Sequence, residues 1–179
     1  MNIRDARLDD SEALAQLHAE SWRSAYRGAY SDAYLDGDVV QDRKSVWQAR
    51  MSAPRAGQFT IVAEQGAAIV GFACAFGADD PRWGTLLDNL HVRPDRKWSG
   101  IGTQLIREVA LRSQRDWPEA GLYLWVLEVN APARRFYERL GAQNAERSAS
   151  VPPGGGSVVG LRYVWPSLTL LVDATMAKP

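Results

Sequence analysis

The stretch GTLLDNLHVRPDRKWSGIGTQLIREVALRSQ, Gly84 to Gln114, constrains the fold more than any other part of this chain. Its first nine residues form an apolar-rich run closed by Pro94, the pattern of a strand. Its last part places Leu105, Ile106, Val109 and Ala110 at helical spacing. The short loop between them, with Gly100 and Gly102 flanking Ile101, must turn a strand into a helix that begins at or near Gly100. Alternation along the strand puts Leu86, Asp88, Leu90 and Val92 on one face, a count that any bulge would break.

The flanking segments extend this pattern. DDSEALAQLHAESW predicts a first helix, with Asp9 and Glu12 spaced as a capping box and Leu14, Leu17 and Ser21 on one face. An irregular connection with Tyr26, Tyr30 and Tyr34 follows, then a second helix over VVQDRKSVWQARM. QFTIVAEQGAAIVGFACAF reads as two strands joined by a tight turn at Gln65-Gly66. GLYLWVLEV is a further strand, and APARRFYERLG a helix with Pro132 in its first turn and Gly141 as its stop. Two strands around the Pro-Gly loop of SASVPPGGGSVVG come next, and the apolar, then frayed, tail SLTLLVDATMAKP has no assigned structure. This order predicts one mixed α/β domain with about four helices around a central sheet.

Composition narrows the partners. At 179 residues with 46% apolar and 23% charged residues, the chain can bury a sizeable core as a single domain. Basic and acidic residues both total 21, so nothing in the overall charge favours nucleic acid or an acidic membrane. No segment reaches the ~18 apolar residues of a membrane span and no signal-peptide core is present, so a cytoplasmic protein is expected. The lone Cys74, in IVGFACAF, reads as a buried inert thiol and leaves no disulfide or metal framework; no metal is expected.

The glycine loop is the first candidate site. A helix N-terminus presents unpaired N–H groups and the positive end of the macrodipole. Glycines allow close approach of an anion, and Arg96 and Lys97 add positive charge. A Gly-x-Gly turn is common, however, and neither a dinucleotide fingerprint nor a Walker loop is present.

Two passages together carry more. LDNLHVRPDRKWSGIGTQLI followed by YLWVLEVNAPARRFYERLGA resembles the GCN5-related N-acetyltransferase (GNAT) family. Val92, Pro94, Gly100 and Gly102 match the first half of its signature; Asn130, Ala133, Phe136, Tyr137, Glu138 and Gly141 match the second. Lys97 stands where the family has Gln or Arg, and Trp98 where glycine is frequent. The resemblance implies a mostly antiparallel mixed sheet whose fourth and fifth strands splay apart to hold acetyl-CoA. It divides the chain into acceptor-side helices over 1–52, an acetyl-CoA-binding core over 58–145, and C-terminal strands and tail over 146–179.

By the same resemblance, the backbone of Leu90, His91 and Val92 would take the thioester and pantetheine. Lys97, Trp98, Ser99, Gly100, Ile101, Gly102 and Thr103 would take the pyrophosphate. Asn130, Ala133, Arg134 and Tyr137 would line the pantetheine arm, Asn130 serving also as a helix cap. Tyr137 would be the acid that protonates the departing thiolate. No base carries over, because Leu86 stands where many members have an acid; among Asp88, His18, Glu20 and Glu128, Asp88 ranks first. His18, Trp22 and Tyr26, spaced i, i+4, would share one helix face toward the acceptor.

The expected activity is acetyl transfer from acetyl-CoA to a primary amine of a small molecule, by direct attack in a ternary complex. Protein N-terminal or lysine acetylation, and a non-catalytic acyl-CoA sensor, are the alternatives. A homodimer would bury the apolar tail Leu168 to Val172; packing on its own domain would do so equally.

Overall fold

The structure is a computed structural model and describes residues 1–176. The strands are β1 (Asn2–Asp5), β2 (Gln58–Gln65), β3 (Ala68–Asp80), β4 (Gly84–Val92), β5 (Leu122–Leu127), β6 (Gln143–Ser150) and β7 (Val158–Trp165). The helices are α1 (Ser11–Ala25), α2 (Asp32–Asp36), α3 (Val39–Ser52), α4 (Ile101–Asp116), α5 (Ala131–Arg139) and α6 (Leu168–Met176). The strands form one seven-stranded sheet in the order β1-β2-β3-β4-β5-β7-β6. Every neighbouring pair is antiparallel except β4 and β5, whose parallel pairing requires the crossover that α4 supplies.

Two apolar layers sandwich the sheet. Ile101, Leu105, Ile106 and Val109 of α4 meet Leu87, Leu122, Leu124 and Val126 on one face. Leu14 and Leu17 of α1 and Trp47 of α3 meet Val62, Phe72, Cys74 and Phe76 on the other. Cys74 is fully buried there, and burial pushes its thiol pKa up to about 11, leaving it an inert core group.

Six α-helices among the described residues exceed the expected four, and both additions have local causes. α2 lies inside the segment read as irregular; Ser31 caps it by accepting from the Tyr34 N–H at 3.3 Å. α6 is the unassigned tail, and Leu168 and Leu171 bury themselves in the α4 layer of their own domain. That packing removes the reason the tail gave for a homodimer. The tail's frayed end, residues 177–179, lies outside the described residues.

The cap of the first helix is also displaced. Asp9 and Glu12 form no capping box; a 3-10 turn over Leu8–Asp10 precedes α1, and Asp10 Oδ2 accepts from the Arg7 N–H at 2.7 Å. Arg4 then clamps Asp10 at 2.7 Å and Glu64 at 2.5 Å, tying β1, the turn and β2 together.

Strand β4 carries a bulge: Cys74 faces Asn89 and Ala75 faces Leu87, so Asp88 has no partner on β3. The simple alternation therefore fails. Leu86 packs in the α1–α3 layer, whereas Leu87, Leu90 and Val92 pack in the α4 layer. The bulge turns the second half of β4 over relative to its start.

Candidate functional site

β4 and β5 pair only at Thr85–Leu122 and Leu86–Tyr123 and then part. Beyond that point each is paired on its outer side alone, β4 to β3 and β5 to β7. The sheet therefore has an internal gap edged by main-chain N–H and C=O groups, able to accept a strand-like ligand arm. Leu90, His91 and Val92 lie on the β4 edge of this gap.

The loop at the gap's end narrows onto α4. Gly100 stands at the N-cap in left-handed backbone (φ 81°) and offers no side-chain cap, and the first turn of α4 carries no acid. Its leading N–H groups thus have neither an intrahelical nor a capping partner, the arrangement that binds a phosphate. A Cβ on Gly102 would lie 3.6 Å from Phe136 and 3.8 Å from Val92, so the end of β4, the start of α4 and α5 converge there. Trp98 also has left-handed backbone (φ 67°), and its indole is 76% exposed. Lys97 Nζ reaches Ser24 Oγ on α1 at 3.4 Å, and Ser99 Oγ donates to the Arg96 carbonyl at 2.6 Å.

α5 is set at the other edge by its own sequence. Asn130 Oδ1 accepts from the Ala133 N–H at 3.3 Å, and Pro132 occupies the first turn. Arg134 donates to the Glu128 carbonyl at 3.1 Å and to Tyr163 Oη at 3.4 Å, stapling the helix to the end of β5. Tyr137 is 8% exposed, its ring against Phe136, Tyr163 and Trp165. Burial raises its pKa above the usual tyrosine value, so it stays protonated at neutral pH, and among the described residues nothing hydrogen-bonds its hydroxyl.

The acceptor-side residues divide. His18 is 1% exposed; its Nδ1 accepts from Trp47 Nε1 at 3.1 Å, and its ring lies 4.4 Å from that of His91. Trp22 is buried between His18, the tyrosines and the Arg43 guanidinium, 4.3 Å from its ring. Tyr26 lines a cavity, whereas His18 and Trp22 pack into the interior. That cavity, about 380 Å³, is bounded by Tyr26 and Tyr30 on one side and by Trp125, Val126 and Leu127 of the diverging β5 on the other. Ser148, Ser150 and Gly160 complete it. Burial raises the Tyr26 pKa, with Tyr30 and then Tyr137 opposing ionisation further.

The loop between β6 and β7 docks on the start of α2. Gly154, between β6 and β7, lies so near α2 that a Cβ there would be 2.5 Å from Tyr34 Cβ and 2.8 Å from Ser31 Oγ.

Asp88, at the bulge, is ion-paired to Arg50 of α3 at 2.6 Å, and Arg50 also donates to Asn89 Oδ1 at 3.0 Å. Glu128 is held by Arg147, which keeps its carboxyl below the ordinary range. His91 Nδ1 sits 2.8 Å from Ser21 Oγ; burial, with Lys97 and Arg43 nearby, pushes its pKa down to about 3.

Residues 12–142 match the family model of the acetyltransferase (GNAT) family. This chain belongs to the GNAT family. The GNAT chain is an acetyltransferase, and curated relatives agree with that assignment. It is 26% identical over 176 residues to an uncharacterized N-acetyltransferase of Bacillus subtilis, covering 96% of each chain. It is 30% identical over 143 residues to a probable N-acetyltransferase of Mycobacterium tuberculosis, covering 78% of each. Among solved structures, a GCN5-related N-acetyltransferase from Rhodopseudomonas palustris superposes with a TM-score of 0.73 at 22% identity, over 91% of this chain and 93% of that one. The PaiA N-acetyltransferase from Thermoplasma acidophilum, solved with coenzyme A, gives 0.67 at 19% identity, over 92% and 98%.

The splayed GNAT sheet is as the resemblance implied. Sequence reasoning missed Tyr30, on the connection between α1 and α2, and Trp125, Ser148, Ser150 and Gly160, which reach the cavity only through the pairing of β5 and β6 with β7. The one local signal was Trp125 itself, a large residue at a position out of phase with the buried set Leu122, Leu124 and Val126.

Proposed function

We propose that this protein transfers an acetyl group from acetyl-CoA to the primary amine of a small molecule. The observation that carries the small-molecule reading is the cavity's lining, in which Tyr26 and Tyr30 face Trp125 and no residue is charged. An uncharged aromatic pocket of about 380 Å³ suits a small acceptor better than an extended polypeptide backbone.

The residues present fit the donor. The uncapped turn from Lys97 to Thr103 suits a pyrophosphate, and the gap beyond Leu86 suits the pantetheine arm, met from β4 by Leu90, His91 and Val92 and from α5 by Asn130, Ala133 and Arg134. When bound, acetyl-CoA supplies an activated thioester. Amine attack forms the C–N bond, the C–S bond breaks, the amine gives up a proton, and the thiolate takes one. Tyr137 suits the last step: it is protonated and desolvated, and among the described residues nothing hydrogen-bonds its hydroxyl.

The base assignment changes. Asp88 ranks first by sequence, but Arg50 already occupies its carboxylate. An apolar cavity disfavours the ammonium form, so the substrate arrives as the free amine and Asp88 positions Arg50 against β4.

The test is release of free thiol from acetyl-CoA in the presence of small amines, peptides with free N-termini, or neither. Amine-dependent release is expected. Release stimulated by peptides alone would replace the small-molecule reading, and tight acetyl-CoA binding without any stimulated release would favour a sensor.

A further inference from the structure

Resting on the amine-acetylation reading above, we infer that the acceptor is a primary amine carried on a flat apolar body, of the arylalkylamine type. The inference starts from Trp125. It is the one exposed residue of β5, with 40% of its surface open, and it projects into the cavity opposite Tyr26 and Tyr30. A central strand exposes so large an apolar surface only where something covers it.

The indole is held in place from its own side of the sheet. Arg162, its register partner on β7, places its guanidinium 4.6 Å from the ring. Two residues earlier, Gly160 leaves the space the ring edge needs, since a Cβ there would come within 3.2 Å of Trp125 Cε3. Trp125 is therefore a fixed plate, and Tyr26 and Tyr30, with rings 4.9 Å apart, form the facing wall. A cavity of about 380 Å³ between such walls is the size that takes a small ring-bearing ligand.

Charge decides among amines. No lining residue among those described is acidic or basic. The nearest charges are committed: Arg162 to Glu146 at 3.0 Å and Asp80 at 4.0 Å, and Glu128 to Arg147 at 3.0 Å. A polyamine or amino sugar would bury additional ammonium groups with no carboxylate to meet them, and an amino acid would bury an unpaired carboxylate. An arylalkylamine brings one amine and a ring that stacks on rings, with Ser148 and Ser150 as the polar contacts.

The test compares kcat/KM by thiol release for 2-phenylethylamine, tryptamine, butylamine, spermidine and kanamycin, with the acetyl-CoA Kd measured alongside. The two aryl amines are expected to exceed spermidine and kanamycin by about tenfold or more. Trp125→Ala should remove most of the aryl advantage over butylamine while leaving the acetyl-CoA Kd unchanged. Should that variant lose acetyl-CoA binding through misfolding, Gly160→Val serves instead: by driving the indole into the cavity it should penalise tryptamine more than butylamine. Spermidine or kanamycin as the better substrate, or equal effects of these substitutions on aryl and butyl amines, would overturn the inference. Tight acetyl-CoA binding with no thiol release stimulated by any amine of the panel would overturn the acetyl-transfer reading beneath it.

Discussion

His91 Nδ1 lies 2.8 Å from Ser21 Oγ, tying the splayed strand β4 to helix α1 through a half-buried imidazole. Behind it the His18 ring stands 4.4 Å away, so two histidines share one desolvated site. Burial is the main cause that lowers both pKa values; Lys97 and Arg43 add to it for His91, and His91, Arg43 and Arg50 for His18.

This pairing sets an acid limit on stability. The unfolded chain protonates its histidines below about pH 6.5, while folded His91 refuses a proton until about pH 3. The unfolded state therefore binds more protons throughout that window, and stability, complete above pH 6.5, declines as pH falls through it. Melting temperature measured from pH 7.5 to 5 should drop, and His91→Gln should flatten the decline. Parallel profiles for the two proteins would show that the imidazole is not the group responsible.

Tyr137→Phe tests the acid. The hydroxyl has no structural hydrogen bond to lose, and the ring contacts with Phe136, Tyr163 and Trp165 survive the change. Turnover should fall by roughly 10²–10⁴ where chemistry is rate-limiting. The acetyl-CoA Kd, read by calorimetry, should stay within twofold (about 0.4 kcal/mol). A variant with undiminished single-turnover rate would take Tyr137 out of the proton path.

Trp98 offers a test of the loop. Left-handed backbone costs an L-residue about 1–2 kcal/mol, and an indole 76% exposed gains little packing in return. Glycine relieves that strain but adds about 0.5–1 kcal/mol of unfolded-state freedom. Trp98→Gly should thus raise Tm by about 1–4 °C, and the β-branched Trp98→Val should lower it. Equal melting of the two variants would mean the loop relaxes and stores no strain.

What the sequence made legible was local. Pro94, Gly100, Asn130, Pro132 and Gly141 act within a few residues of themselves, and each marks an element boundary in the structure. The gap between β4 and β5 followed only from family resemblance, because register is a long-range property. The bulge at Asp88 left no signal in a strand whose apolar residues suit either face. The cavity was least visible of all: Tyr26 and Tyr30 lie about a hundred residues from Trp125, and β7 must pair with both β5 and β6 before Gly160 and Ser148 meet it. A helix-face argument from α1 alone accordingly chose His18 and Trp22, whose size and apolar surroundings take them into the core.

The loop behind the cavity's tyrosine wall can be lifted at one atom. Gly154 has left-handed backbone (φ 84°), as do Gly155 and Gly156, and its missing side chain is what lets the loop rest on Tyr34 and Ser31. Gly154→Ala would set a Cβ 2.5 Å from Tyr34 Cβ, a contact that two backbones must separate to relieve. Tyr34 cannot easily yield, because its hydroxyl is bonded to Asp42 and its ring is buried with Trp22 and Leu35. The loop must therefore rise, loosening the support that Tyr34, its ring 6.4 Å from that of Tyr30, gives the cavity's tyrosine wall. The variant should show an amine KM raised by roughly tenfold with the acetyl-CoA Kd unchanged, since looser walls forfeit about 1.4 kcal/mol of contact with the acceptor alone. Steady-state kinetics at saturating acetyl-CoA would read this, and an unchanged amine KM would show that the loop's seating on Tyr34 does not shape acceptor binding.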